Sequence, residues 1–276
     1  MLKGLNMEKG ERLDIALVNR GIFSSRQRAK YGIEKQIVYL NGKLVEKSSK
    51  LVYPQDQIEI KGEDLPYVSR GGLKLKKALE VFQISLKNKI CVDIGASTGG
   101  FTDCMLQHGA EKIYAIDVGH NQLDKKLEKE PKVHNIEGMN IKEFDANTIE
   151  KVDFACTDVS FIPVEQVLPK IYELLKMKGL AVILIKPQFE AGRNELNKHG
   201  VVKDKRTHEK VVLNVIEAAD KVGFKALSLD FSPIKGPAGN IEYLFYMQKD
   251  GNKLFDNYLW KQKIKDVVEQ AYRSLK

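Results

Sequence analysis

The chain has 276 residues, 43% hydrophobic and 30% charged, with 45 Lys/Arg against 37 Asp/Glu for a net charge of +8. That length holds one large and one small domain with ample core. No run approaches the roughly 18 apolar residues of a membrane span, and the opening MLKGLNMEKGERLD has no apolar signal region, so the expected compartment is the cytoplasm. Met1–Asn6 reads as a leader or as an addition ahead of a start at Met7. Cys91, Cys104 and Cys156 are widely spaced within apolar patterns, which suggests reduced, packed thiols rather than a disulfide frame or a zinc site.

Residues 1–62 hold 12 Lys/Arg against 7 Asp/Glu, so this small segment alone carries +5 and suggests a polyanionic partner. The simpler reading is a solvated lysine-rich surface. Glu11–Asn19 places Leu13, Ile15, Ala16, Leu17 and Val18 on a short amphipathic helix that Gly21 can end. Ser24-Ser25 offer an N-cap for a second helix, Arg26–Lys35, whose expected exposed positions are Arg26, Arg28, Lys30 and Lys35. Ile37–Leu40 and Leu44-Val45 flank Asn41-Gly42, a strong hairpin signal, and Gln57–Ile60 is a further strand. Cations at one helix start attract phosphate through both charge and dipole. The pieces RLDIALV, SSRQRAK and VYLNGKLV resemble the αL RNA-binding domain typified by small-subunit ribosomal protein S-four. The resemblance implies contacts to structured RNA through phosphates and shape, with Arg12, Arg26, Arg28, Lys30 and Lys43 as candidates. The polar segment Lys61–Pro66 marks the boundary, giving an RNA-binding domain over 7–62 and a second domain over 67–276.

From Tyr67 helices and strands alternate. A helix near Gly72–Phe82 precedes a strand at Ile90–Ile94, then a glycine-rich turn, GASTGGFT, and a helix over Thr102–His108. Strands follow at Lys112–Ile116, Val133–Ile136 and Val152–Cys156, then a helix at Val164–Leu175 and a strand at Leu180–Ile185. A helix at Thr207–Val222, strands at Ala226–Phe231 and Glu242–Met247, and an amphipathic helix over Lys253–Leu275 complete the pattern. The fold class is therefore α/β, a Rossmann-like, mainly parallel sheet behind a small α+β domain. Ligands bind beyond the carboxyl ends of such strands, where Asp93/Gly95, Asp117, Asp158 and Lys186 all fall.

Glycine in the turn lets a ligand approach the backbone, and a strand-end acid about twenty residues on can take both hydroxyls of a ribose. Candidate cofactor contacts are Asp93, Gly95, Ser97, Gly99, Gly100 and Phe101, with Asp117 for the ribose. Neither GxGxxG nor GxxxxGK[ST] is present, so S-adenosylmethionine fits better than a dinucleotide or a triphosphate. An ordinary strand-to-helix connection is the competing reading of the turn. Lys74, Asp158, Lys186 and Glu242 are remote in sequence yet expected at one sheet edge. Lys74 also reads as one of several neighbouring lysines and Glu242 as an edge-strand charge. Lys186 follows Val182–Ile185, and a buried-strand lysine is costly unless paired.

The second domain resembles the FtsJ-type ribosomal RNA 2′-O-methyltransferases. The whole chain, with YVSRGGLKL, VDIGASTGGFTD, DVSFI, IKPQFE and GNIEY, resembles the TlyA family, whose members are often labelled hemolysins. The resemblance runs from about Arg12 to Met247. It implies S-adenosylmethionine as cofactor, ribosomal RNA or ribosomal subunits as partner, methylation of a cytidine 2′-hydroxyl, and a catalytic set of Lys74, Asp158, Lys186 and Glu242. Where an acid is usual after the third strand, Glu137-Gly138-Met139-Asn140 stands instead, and Asn140 is assigned to the adenine.

A ribose hydroxyl needs a base, or a cation to stabilise the forming oxyanion. Lys186 is expected nearest that oxygen, its pKa lowered by burial and by repulsion from Lys74, with Asp158 and Glu242 orienting the lysines. No metal is required, and no clustered ligand set is seen. Two other classes compete: a non-catalytic RNA-binding or ribosome-assembly factor, and a membrane-lytic protein. The only candidate lytic segment is the terminal helix, with Phe255, Leu259, Trp260, Ile264, Val267 and Val268 on one side. Such a helix more often packs on its own domain. The oligomeric state stays open, with the monomer preferred.

Overall fold

The computed structural model describes residues 10–251 and 256–275. The Met1–Asn6 and Met7 readings lie outside the described residues, as do Lys253 and Phe255 of the terminal pattern. Two compact units divide at Arg70/Gly71.

The first unit contains β1 (Glu11–Arg12), α1 (Leu13–Asn19), α2 (Arg26–Glu34), β2 (Val38–Leu40), β3 (Lys43–Leu44), β4 (Leu51–Val52) and β5 (Ile58–Ile60). The first helix starts two residues later than expected because Glu11 and Arg12 pair antiparallel with Val52 and Leu51, an exchange between segments too short and distant for a pattern to show. Asn41-Gly42 turns β2 into β3, and β5 adds to the other side of β2. Leu13, Leu17, Phe23, Ile33, Val38 and Val52 fill the core. Arg28 donates to the Leu65 and Tyr67 carbonyls at 2.9 and 3.0 Å, which holds the chain beyond the polar Lys61–Pro66 segment to this unit.

The second unit opens with α3 (Gly71–Val81), β6 (Ile90–Ile94), α4 (Gly100–Gln107), β7 (Lys112–Ile116), α5 (Lys125–Glu128), β8 (Val133–Ile136) and β9 (Val152–Thr157). It continues with α6 (Leu168–Leu174), β10 (Leu175–Ile185), α7 (Pro187–Glu190), α8 (Lys205–Val222), β11 (Phe224–Phe231), β12 (Tyr243–Lys249) and α9 (Asn257–Ser274). Seven strands order as β11-β12-β10-β9-β6-β7-β8, and only β12 runs against its neighbours. From β6 the chain moves one way to β7 and β8, then returns to β9 on the other side of β6. That reversal leaves a crevice beyond the carboxyl ends of β6 and β9.

The helices α5 and α7 lie where none was expected, and two expected elements change character or bounds. The helix expected over Val164–Leu175 is a 3₁₀ turn at Val164–Gln166 followed by α6, with Pro169 in its first turn, and Leu175 already belongs to β10. β10 begins five residues early because its pairing with β9 is irregular between Leu175 and Leu180. In α9, Trp260, Ile264, Val267, Val268 and Ala271 are buried in the unit's own core, whereas Leu259 points outward. Among the described residues no helix is long and apolar enough to cross a membrane. Cys91, Cys104 and Cys156 are all buried and form no disulfide, and burial pushes the Cys91 thiol up to about 12.

Candidate active site

Register brings three charged residues to one edge of the sheet. Ile183 of β10 lies beside Thr157 of β9, and Ile185 lies opposite Tyr243 of β12. Asp158 and Lys186 stand one residue past β9 and β10, and Glu242 stands one residue before the antiparallel β12, all at the carboxyl end of β9 and β10. Lys74 joins them from α3.

The four side chains alternate in charge. Glu242 Oε2 lies 2.8 Å from Lys74 Nζ, Lys74 donates to Asp158 Oδ2 at 3.1 Å, and Asp158 Oδ1 lies 2.6 Å from Lys186 Nζ. Lys186 also donates to Ser160 Oγ at 2.8 Å and to the Asp158 carbonyl at 3.2 Å. Lys74, Lys186 and Glu242 are buried and Asp158 is partly exposed. Burial opposes the charge on Lys74, but Asp158 and Glu242 outweigh it and raise its pKa. Asp158 stands between the lysines, bound to both, and Lys74 is a fixed cation.

Glu242 is held by its surroundings. A Cβ on Gly236 would meet Glu242 Oε1 at 2.6 Å, so the carboxylate can sit there only against glycine. Gln188 Nε2 approaches the same oxygen at 3.5 Å. Asn240 accepts from the Val202 amide and donates to the Gly200 carbonyl, fastening the loop before β12. Tyr243 Oη lies 2.8 Å from His208 Nδ1, and His208 Nε2 lies 3.0 Å from the Val202 carbonyl. Burial lowers the His208 pKa. A neutral ring donates from Nε2 to that carbonyl and accepts the tyrosine proton at Nδ1, a tautomer assigned from the network.

Beside this array opens a cleft of about 450 Å³. Of the expected cofactor residues, Gly95, Ser97, Asp117 and Asn140 line it. Asp117 accepts from the Ser97 amide at 2.8 Å and from the Gly119 amide at 2.7 Å, tying the glycine turn to the end of β7. Ile116, Met139 and Ile141 supply apolar wall. Asp93, Gly99, Gly100 and Phe101 do not line the cleft. Asp93 is buried, accepts the Thr102 hydroxyl at 2.7 Å, and is pushed up to about 7, chiefly by burial. Gly99 caps α4 at φ +91°, and a Cβ there would lie 2.3 Å from Leu127 Cδ1, so packing demands this glycine. Gly100 and Phe101 are buried in the first turn of α4. Glu137 accepts from the Asn121, Gln122 and Leu123 amides, bonds that hold its carboxyl down to about 2. It organises the loop at residues 121–123, whose Gln122 lines the cleft together with Asn140.

Three residues of this site were missed from sequence. Ser160 binds Lys186, and Gln188 binds Glu242. Phe161 is 87% exposed at the cleft mouth with φ +68°, its ring 5.1 Å from that of Phe189. All three lie inside DVSFI and IKPQFE, which were singled out for their charged members alone.

In the first unit, Arg12 and Arg26 converge on the buried carboxylate of Asp14. Arg12 Nε donates at 3.0 Å and Arg26 reaches the other oxygen at 2.7 Å. Hydrogen bonding from Arg12, aided by Arg26, outweighs burial and holds Asp14 down to about 2. Arg28 corrects the expectation of an exposed contact. Its side chain is 17% exposed and bonds Asp64 besides the two carbonyls, whereas Arg26 is 55% exposed. Lys30 and Lys43 are exposed.

Comparison with known proteins follows the same division. The model of FtsJ-like methyltransferases matches residues 67–249, and that of the S4 domain matches residues 11–58. YqxC of Bacillus subtilis, provisionally named an rRNA methyltransferase, is 43% identical over 97% of this chain and 96% of its own. The 16S/23S rRNA (cytidine-2′-O)-methyltransferase TlyA of Mycobacterium tuberculosis is 34% identical over 96% of this chain and 98% of its own. A solved structure from Streptococcus thermophilus, provisionally described as a hemolysin, is 42% identical with a TM-score of 0.77, covering 96% of each chain. The chain therefore belongs to the FtsJ-like methyltransferases of the TlyA kind, in which that domain follows an S4 domain.

Proposed function

We propose that the chain transfers a methyl group from S-adenosylmethionine to the 2′-hydroxyl of a cytidine in ribosomal RNA. The observation that carries this reading is the Glu242–Lys74–Asp158–Lys186 array beside the cleft at the sheet's switch point. The activity for which the Mycobacterium relative is named supports it, as does the S4 domain.

The cleft fits the cofactor on its own chemistry. Asp117 suits a ribose, Ile116, Met139 and Ile141 suit an adenine face, and Gly95 leaves the backbone open. When bound, the cofactor supplies a methyl group already activated by its sulfonium.

The protein's own task is to align and activate the 2′-oxygen. Lys186 serves that oxygen, by taking its proton or by stabilising its developing charge, and the dependence of rate on pH separates the two. Three acceptors, Asp158 Oδ1, the Asp158 carbonyl and Ser160 Oγ, fix the direction of its ammonium. Lys74 and Glu242 set the charge around Asp158 and keep it from turning away. Phe161 presents an exposed ring on which an unstacked base can lie.

The test is incubation of each purified ribosomal subunit with cofactor tritiated on the methyl, followed by nucleoside mapping. Label in 2′-O-methylcytidine is the expected result. Label on a base, or none, rejects the reading.

A further inference from the structure

On the flank of the second unit a groove of about 430 Å³ runs between α8 and α9. Arg206, Lys210, Lys261 and Lys265 line it, against a single acid, Glu209. Neighbouring Lys205 and Arg273 share Glu269, but none of the four groove cations is in an ion pair among the described residues. Leu213 and Ile264 contribute apolar lining. At one end Tyr258 is 86% exposed, the other extreme from Trp260 two residues on, which is buried. Cations outside ion pairs can engage a phosphate without first breaking a salt bridge.

The groove's position suits a substrate already held at the active site. His208, between Arg206 and Lys210 on α8, bonds Tyr243, the residue after Glu242. The groove cations of α8, Arg206 and Lys210, stand about 6 Å apart along the helix at roughly 1.5 Å per residue, at the end of α8 that His208 ties to Tyr243. A narrow basic track with an aromatic ring is the usual means of following a nucleic-acid backbone without reading its sequence.

We propose that this groove holds the phosphodiester backbone of the substrate RNA away from the target nucleotide, with Tyr258 offering a stacking face. The inference rests on the RNA-methylation reading above. It adds a second RNA-holding surface, on the catalytic unit itself.

The test uses the full-length chain carrying Lys210→Glu, Lys261→Glu and Lys265→Glu, with Tyr258→Ala as a separate variant. Binding is measured to a protein-free ribosomal RNA fragment over a range of salt, and methylation kinetics are measured on intact subunits. The expected result is affinity reduced about ten-fold or more, with the log–log salt slope falling by about 0.7–0.9 for each phosphate no longer neutralised. KM for the subunit should rise, while kcat, cofactor affinity and melting temperature hold. Tyr258→Ala should weaken binding without changing the slope.

Affinity and slope equal to the unmodified chain's would overturn the proposal. So would a loss confined to intact subunits, since the groove would then hold an acidic protein segment instead. Should triple charge reversal lower the melting temperature, the Lys→Gln set decides by the same binding measurement. Failure of the unmodified chain to methylate any subunit would reject the function, and the binding assay would still decide the groove.

Discussion

In the first unit Asp14 stands between Arg12 and Arg26, and in the second Asp158 stands between Lys74 and Lys186. Each is a carboxylate bridging two cations, yet the cations differ in kind and exposure. The arginines stay half outside, always charged, with spare planar donors that match phosphate. The lysines lie inside, as point charges on flexible stems, and a lysine can lose its proton where an arginine cannot. The difference teaches that one ion-pair geometry supports either anion capture or proton chemistry, according to which cation is used and how far water reaches it.

The largest effect should come from breaking the lysine side. Lys186→Ala should cut single-turnover methylation by roughly 10²–10⁴-fold, the usual contribution of a positioned proton acceptor, with cofactor and RNA affinity nearly unchanged. Lys186→Arg should fail almost as badly, because guanidinium keeps its proton and its fork does not fit a site made for one nitrogen. Turnover near the normal rate in either variant would make Lys186 a structural lysine and collapse the contrast.

Next is Asp117, the cleft carboxylate that accepts from the Ser97 and Gly119 amides. Asp117→Ala should weaken S-adenosylmethionine binding by roughly 1.5–3 kcal/mol, the range for a charge-assisted hydrogen bond. Titration calorimetry checks it, and an unchanged Kd would put the ribose elsewhere.

A smaller effect sharpens the arginine side. Arg26→Ala should lower RNA affinity and reduce the salt slope by about 0.7–0.9, the share of a single phosphate. Arg28→Ala should leave that slope alone and instead lower the stability of the first unit, because its donors already serve Asp64, Leu65 and Tyr67. Filter binding and thermal unfolding of the two variants separate these outcomes, and identical behaviour would mean the two arginines are equivalent.

The smallest effect is in pH, where Asp14 of the first unit and Glu190 of the second carry opposite signs. Asp14, held down to about 2 from an ordinary 3.8, lends stability that is present above about pH 4 and lost as pH falls toward 2. Glu190, pushed up to about 7 chiefly by burial, favours the fold below its ordinary 4.5 and withdraws that support as pH rises through 7. Its carboxylate accepts from the Val164 amide at 2.7 Å. Glu190→Gln should therefore reduce the fall in melting temperature between pH 5 and 8 by about 2–4 °C, the shift that roughly 1 kcal/mol gives a domain of this size. A fall as steep as in the unmodified chain would assign the pH dependence to other groups, Asp93 among them.

What was legible in the sequence is what local pattern controls. Apolar runs ending in a charged residue, as at Ile185-Lys186, mark strand ends, and strand ends in such a sheet share an edge. The Asn41-Gly42 hairpin and the Ser25 cap are local signals too. What stayed hidden depends on partners far along the chain. Arg28 looked exposed because its acceptors lie 36 to 39 residues away. Gly99 looked like a ligand contact because nothing in GASTGG shows that Leu123 and Leu127 pack against it. Ser160 and Phe161 carry no charge to draw attention, and their place became evident only once Lys186 had a direction.

The three thiols have a practical consequence. All lie in the second unit, Cys91 in β6, Cys104 in α4 and Cys156 in β9, and none is accessible in the folded state. A maleimide or disulfide reagent can reach them only when that sheet opens, so the modification rate times the opening of the catalytic unit alone. The S4 domain has no cysteine to contribute background. The natural chain is thus its own reporter: slower labelling on adding cofactor or RNA would reveal which ligand tightens the methyltransferase fold, with no engineered probe.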